Sequence, residues 1–290
     1  MTPESLQPIH EQPDLLRSAL NYTAAETGFN ARLIEKDYYC SVILRELAPL
    51  FQTNLVFKGG TALNKVRAGF YRLSEDLDFV VPIALDATRR SRREIVVPVK
   101  EGVERLCGIL SCLEKAGEFQ AHDNNRQHII VYTYESCLSA ERGNIRIEVA
   151  VREPLIEPSQ GLFAKTMLLD PNSLKAVLPP IPVTVMSHRE TYAEKARAAL
   201  TRVAIRDHYD LDYAVQSGSL DLHREDFVEL LRQKLAVSGE LLAEAMAADL
   251  SELRRQVDAE LRPVLRTEDF DRFDAERAFQ MLGKLRTRLA

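Results

Sequence analysis

The stretch from Phe57 to Val81, FKGGTALNKVRAGFYRLSEDLDFVV, restricts the fold more than any other part of the chain. Leu55 to Lys58 ahead of it is apolar and β-prone, and Gly59-Gly60 interrupts it. Thr61 to Arg67 has helical composition, so the two glycines lie at a strand-to-helix turn. Backbone N–H groups at such a turn have no intrahelical partner and favour phosphate. Glycine also lets a bulky anion approach the backbone closely.

The second half of the stretch is Asp76-Leu77-Asp78-Phe79-Val80-Val81. Strand side chains alternate, so Asp76 and Asp78 share one face while Leu77 and Phe79 share the other and enter a core. Two carboxylates about 7 Å apart along a strand repel each other unless a cation lies between them. A hard divalent cation with oxygen ligands, Mg²⁺ above all, meets that need. Paired aspartates and glycine turns are each common on solvated strand ends. Joined, with apolar residues between the aspartates, they predict metal-assisted phosphoryl or nucleotidyl transfer.

With 290 residues the chain can bury a substantial core in one large or two modest domains. A formal charge of −5 gives no global attraction to nucleic acid, so RNA binding would need local basic patches. Cys40, Cys107, Cys112 and Cys137 form no CxxC pattern, which argues against a zinc site and a secreted disulfide framework. No targeting segment or bilayer-length apolar run is visible, and a cytoplasmic location is expected.

Before the central stretch, Met1 to Asp14 reads as a polar lead-in, Leu15 to Gly28 as a helix ending at glycine, and Leu33 to Leu47 as an amphipathic helix. Glu35, Lys36 and Asp37 read as the solvated edge of that second helix. Ile83 to Gly117 is expected to be mostly helical with a break at Pro98. It carries Arg89-Arg90-Ser91-Arg92-Arg93, either a solvated charge run or a contact for a phosphate-rich partner. Gln127 to Tyr134 and Ile145 to Val151 alternate as strands and form a hairpin beside the aspartate strand. That pairing brings Glu148 into register as a third carboxylate, a metal ligand or else a salt-bridge partner. Pro154 to Pro182 is a proline-bearing connector containing the boundary between a core of residues 1–165 and a helical domain of 183–290. Within it Ile181 to Met186 is a short strand. Ser187 to Glu190 fits a capping box opening a helix to about Arg202. A further helix starts at Arg206, and others cover Arg224 to Val237, Gly239 to Leu261 and Asp274 to Leu289. Lys195 and Asp207 admit two readings, ordinary helix-surface charges or contacts to a triphosphate.

Taken together, EKDYYCSVILREL (35–47), FKGGTALNKV with RLSEDLDF (57–79), IRIEVAV (145–151) and EKARAALTR with RDHYDLDY (194–213) resemble the AbiEii/AbiGii toxin family of nucleotidyltransferases, which includes the MenT-type toxins. The resemblance covers about residues 30 to 215. It implies an α+β fold: a polymerase-β-like nucleotidyltransferase core, a mixed sheet flanked by helices, with a C-terminal α-helical domain. It implies Asp76, Asp78 and Glu148 as ligands of catalytic Mg²⁺ or Mn²⁺, and Lys195 and Asp207 as further catalytic positions. Gly59, Gly60 and Thr61 would hold the phosphates of the NTP, with Ser74, Lys65 and Arg72 completing the nucleotide-binding set. The second glycine stands where the broader superfamily carries a serine, so Thr61 or the turn's backbone takes over that contact. Lys65 and Arg72, with Arg89 to Arg93, would also line a basic cleft for the acceptor.

The implied activity is NMP transfer from an NTP to an RNA 3′ end, with tRNA as acceptor, by the toxin half of a toxin–antitoxin pair. The competing readings are nucleotidylation of a protein or small-molecule hydroxyl, and a non-catalytic regulatory protein on the same fold. Ser74, two residues before Asp76, would share the carboxylate face on a continuing strand, where phosphorylation would inhibit.

Overall fold

The computed structural model describes residues 8–238 and 250–289, which form two compact units. The first comprises residues up to Arg152 together with Gly161–Val185; the second comprises Glu153–Gln160 and the chain from Met186 onward. The expected boundary near 165–183 therefore moves. Gly161–Val185 joins the first unit because it supplies strands to its sheet, and Glu153–Gln160 joins the helices.

In the first unit α1 (Pro13–Thr27) ends where Gly28 turns into the left-handed region at φ 73°, and α2 (Ala31–Leu47) starts at Asn30, whose side chain accepts from Arg32 N–H. The chain continues through β1 (Val56–Lys58), α3 (Gly59–Ala62, running on as a π-helical turn, Leu63–Ala68) and β2 (Leu77–Val80). Next come α4 (Arg89–Ile95), α5 (Val97–Glu104), α6 (Leu106–Ile109), β3 (Leu113–Lys115) and β4 (Gln120–His122). The expected helix over 83–117 is thus three short helices and a strand. Pro98 sits in the first turn of α5, where its missing N–H costs nothing, so it starts a helix instead of breaking one.

The remaining strands are β5 (Gln127–Tyr134), β6 (Gly143–Ala150), β7 (Gln160–Ala164) and β8 (Ile181–Val185). The sheet is mixed, in the order β3-β5-β6-β2-β1-β8-β7 with β4 on β5. Strands β5 and β6 form the expected antiparallel hairpin, and β6 lies parallel to β2. Alternation selects the core: Leu77, Phe79, Ile145, Ile147 and Val149 are each at most 1% exposed.

The second unit is helical: α7 (His188–Thr201), α8 (Ile205–Gln216), α9 (Glu225–Ser238), α10 (Leu250–Gln256), α11 (Thr267–Arg272) and α12 (Ala275–Leu289). Residues 239–249 of the expected Gly239–Leu261 helix, and 1–7 of the lead-in, lie outside the described residues. Half of the capping box forms, with Ser187 Oγ accepting from Glu190 N–H at 3.0 Å. The Glu190 carboxylate instead accepts from the backbone of Ile156 and Glu157 and pairs with buried Lys234 at 2.6 Å. Arg277 grips Asp212 with two hydrogen bonds of 2.9 and 2.6 Å, tying α12 to α8.

Candidate active site

Strand β1 ends in the glycine turn, and both glycines are dictated by what they touch. Gly59 has φ +76°, and a Cβ there would overlap the Asp78 carboxylate. A Cβ on Gly60 would fall 2.6 Å from Arg72 Nη2 and 3.0 Å from Ser74 Oγ. The turn therefore lies directly on Asp78, Arg72 and Ser74. Thr61 is 1% exposed and its hydroxyl donates to the Asp76 carbonyl at 2.5 Å. That hydroxyl ties the turn to the acidic strand, so it is spent on protein and not on a triphosphate.

The sheet register supplies the rest. Asp78 lies opposite Lys58 on antiparallel β1 and opposite Glu148 on parallel β6. Glu148 is thus in register with the aspartate strand, as alternation predicts. Its carboxylate meets Arg146 at 2.8 Å, and Arg152 lies at 3.9 Å. Among the described residues no three His, Cys, Asp or Glu side chains converge as a ready metal cluster. Strand β2 begins at Leu77, so alternation puts neither Asp76 nor Ser74 on the face of Asp78: Asp76 immediately precedes the strand, and Ser74 lies under Gly60.

Two expected phosphate contacts are placed differently. Lys65 is fully buried, pairs with Asp37 at 2.6 Å and donates to Ser41 Oγ at 2.8 Å. Arg72 is 2% exposed and donates to the Leu73 carbonyl. Neither offers its charge to an open cleft. For Lys65 helix α2 is the reason, because Glu35 and Asp37, read as its solvated edge, face inward. Glu35 accepts from Ser136 Oγ at 2.6 Å and Cys137 N–H at 2.8 Å, holding the β5–β6 connection. Lys36 meets Glu75, next to Asp76, at 3.5 Å, and Asp37 takes Lys65. Buried Glu35, Asp37 and Lys65 have thus each found a partner, as burial requires.

In the second unit Lys195 lies between Asp207 and Asp210, 2.9 Å from each, and Arg202 reaches Asp207 at 2.7 Å. Burial works against the charged form of Asp207, but Lys195 and Arg202 outweigh it and hold the carboxyl below its ordinary value. Asp210 was not singled out from the sequence, although its i, i+3 spacing from Asp207 puts both on one helix face. The Lys234 cluster with Glu153, Glu190 and Glu194 had no sequence signal, since its members come from three separate segments.

Among the described residues no helix is long and apolar enough to cross a membrane. No curated protein sequence matches the chain. Solved structures of similar fold include MenT4, a nucleotidyltransferase toxin from Mycobacterium tuberculosis H37Rv, with 19% identity over 94% of this chain and 98% of that one and a TM-score of 0.56. Another is JHP933 from Helicobacter pylori, with 17% identity over 90% and 93% of the two chains and a TM-score of 0.52. The family model for the nucleotidyl transferase AbiEii toxin, Type IV TA system, matches residues 42–286. It thus runs beyond residue 215, where the recognisable motifs end, into the last helices. A match of that extent, over a sheet that sets Asp78 between Lys58 and Glu148, makes this chain a member of the AbiEii family of nucleotidyltransferase toxins.

Proposed function

We propose that the enzyme transfers a nucleoside monophosphate from an NTP to the 3′ end of an RNA, with tRNA as the acceptor, and thereby blocks translation as the toxin partner of a cognate antitoxin. The observation that carries this reading is the seating of Gly59 against Asp78. It joins the phosphate-facing turn and the acidic strand at one point.

The donor set fits a hard divalent cation. Asp76 and Asp78 contribute oxygens alone, and the space beside Asp78 is kept clear by the glycine that a Cβ would fill. These two carboxylates are the proposed holders of Mg²⁺, with Glu148 in register but engaged by Arg146. A bound Mg²⁺ would neutralise charge on the triphosphate and on the departing pyrophosphate. The chain's own contributions are distinct. Backbone N–H groups of Gly59 and Gly60 face the phosphates, and Thr61 fixes the backbone of Asp76. In the second unit Lys195, paired with Asp207 and Asp210, and Asp207 itself are kept as proposed catalytic positions. Lys65 and Arg72 are left out of the phosphate set because both are buried and already bonded to protein acceptors.

Incubating the protein with total RNA, Mg²⁺ and each labelled NTP in turn, beside Asp76→Ala, tests the proposal. Label on tRNA-sized RNA that the variant fails to produce is the expected result. Metal-dependent label on protein would move the same chemistry to a different acceptor, and absence of any label would overturn the reading.

Thr61→Val tests the tie between turn and strand. It keeps the side-chain shape and removes one hydrogen bond, so stability should fall by about 1 kcal/mol. Transfer should fall about tenfold, the equivalent of roughly 1.4 kcal/mol in the barrier, as Asp76 loses its fixed position. Full transfer activity in the same labelling assay would remove Thr61 from the site.

A further inference from the structure

Helix α4 holds an arrangement that stability does not explain. Thr88 caps it, accepting from Ser91 N–H at 3.1 Å, and its first turn carries Arg89 and Arg90 with no acidic residue. Cations in a first turn oppose the helix dipole. Arg90 is neutralised by Glu94 at 2.8 Å. Arg89, Arg92 and Arg93 form no ion pair among the described residues. Their i, i+3, i+4 spacing puts these three on one face of the helix.

Arg92 is the decisive member. It is 6% exposed, and its Nε is buried without a hydrogen-bond partner. Every other buried cation described above has an acceptor: Asp37 and Ser41 for Lys65, Glu190 for Lys234, the Leu73 carbonyl for Arg72. A guanidinium N–H taken out of water without an acceptor is costly, and the group's planar set of donors matches phosphate oxygens. Arg89 and Arg93 are exposed on either side of it. A row of phosphates along one strand meets three adjacent guanidiniums without any reading of bases.

We propose that Arg89, Arg92 and Arg93 form a phosphate-binding face that holds the backbone of the acceptor RNA. This rests on RNA being the acceptor, and it goes further by assigning the residues that grip it. The contact is electrostatic and sequence-independent, so it sets how tightly RNA is held and how strongly salt weakens that hold.

The test is binding of fluorescein-labelled tRNA, followed by anisotropy from 50 to 300 mM salt without NTP or Mg²⁺. It compares the wild type, Arg89→Gln/Arg93→Gln, the triple variant with Arg92→Gln added, and Arg105→Gln as an exposed single-charge control. The double variant changes only exposed side chains and so remains informative if the triple variant misfolds. Single-stranded contacts contribute roughly 0.7 each to the slope of log K against log salt, so the triple variant should lose about 2 in slope and the double variant about 1.4. Affinity should drop at least tenfold for the triple variant and stay within about twofold for Arg105→Gln. Wild-type binding with the double variant unchanged in affinity and slope overturns this face and leaves RNA as the acceptor. A wild type that binds no RNA overturns both.

Discussion

Gly59→Ala is expected to remove nucleotidyl transfer almost entirely while leaving a folded protein. Two separate effects act at this position. The backbone sits at φ +76°, where a Cβ costs about 1–2 kcal/mol. The new methyl would also overlap the Asp78 carboxylate, so either the turn or Asp78 must move. Both belong to the proposed chemistry, and transfer should fall on the order of 10²–10³-fold, about 3–4 kcal/mol in the barrier. Gly69→Ala separates the two effects. Gly69 has a similar φ of +67°, but nothing lies within 4 Å of its Cβ position. That variant should carry only the backbone strain and keep activity within a few-fold. Steady-state transfer rates for the two proteins, with circular dichroism as the folding check, decide the matter. Equal losses at Gly59 and Gly69 would mean that strain alone is responsible and that contact with Asp78 is incidental.

Asp37→Ala should be the most destabilising single change in the first unit. It leaves the fully buried Lys65 ammonium with Ser41 alone, and breaking a buried pair in this way costs about 3–5 kcal/mol. The ammonium is held between α2 and the helical turn that follows the glycines, so the loss should also disturb the turn. Asp37→Leu/Lys65→Met replaces both charges with apolar groups of related size and should recover most of the stability. The hydroxyl of Ser41 keeps a partner in both variants, since it donates to the Asp37 carbonyl at 2.8 Å. The chain has no tryptophan, so urea unfolding is best followed by far-ultraviolet circular dichroism. A double variant no more stable than Asp37→Ala would show that the charge pair is not what this region depends on.

Much of the candidate site was legible because it is built from local rules. Glycines between a β-prone run and a helical run mark a turn whatever surrounds them. Alternation in DLDFVV and IRIEVAV then sorts carboxylates from core residues, and the pairing of Asp78 with Glu148 follows from it. The hairpin and the helical C-terminal part were legible for the same reason, and the α+β class followed from the family resemblance of the motifs. The expected helix over 83–117 was not, because short helices and short strands of mixed composition carry too few periods to distinguish them.

The fate of individual charges was decided elsewhere. Glu35, Asp37, Lys65 and Arg72 look like solvated or ligand-binding groups in one dimension, and each is buried in three. The partners that make this affordable are remote: Ser136, which donates to Glu35, is 101 residues away. Connection of Gly161–Val185 to the first unit likewise depends on where β7 and β8 find an open place in the sheet. Amino-acid order by itself determined the turn, the register of Asp78 with Glu148 and the strand faces, because covalent geometry and side-chain alternation act over a few residues. Only tertiary structure decided which charges remain available for a ligand, because the cost of burying an ion depends on acceptors brought from distant segments.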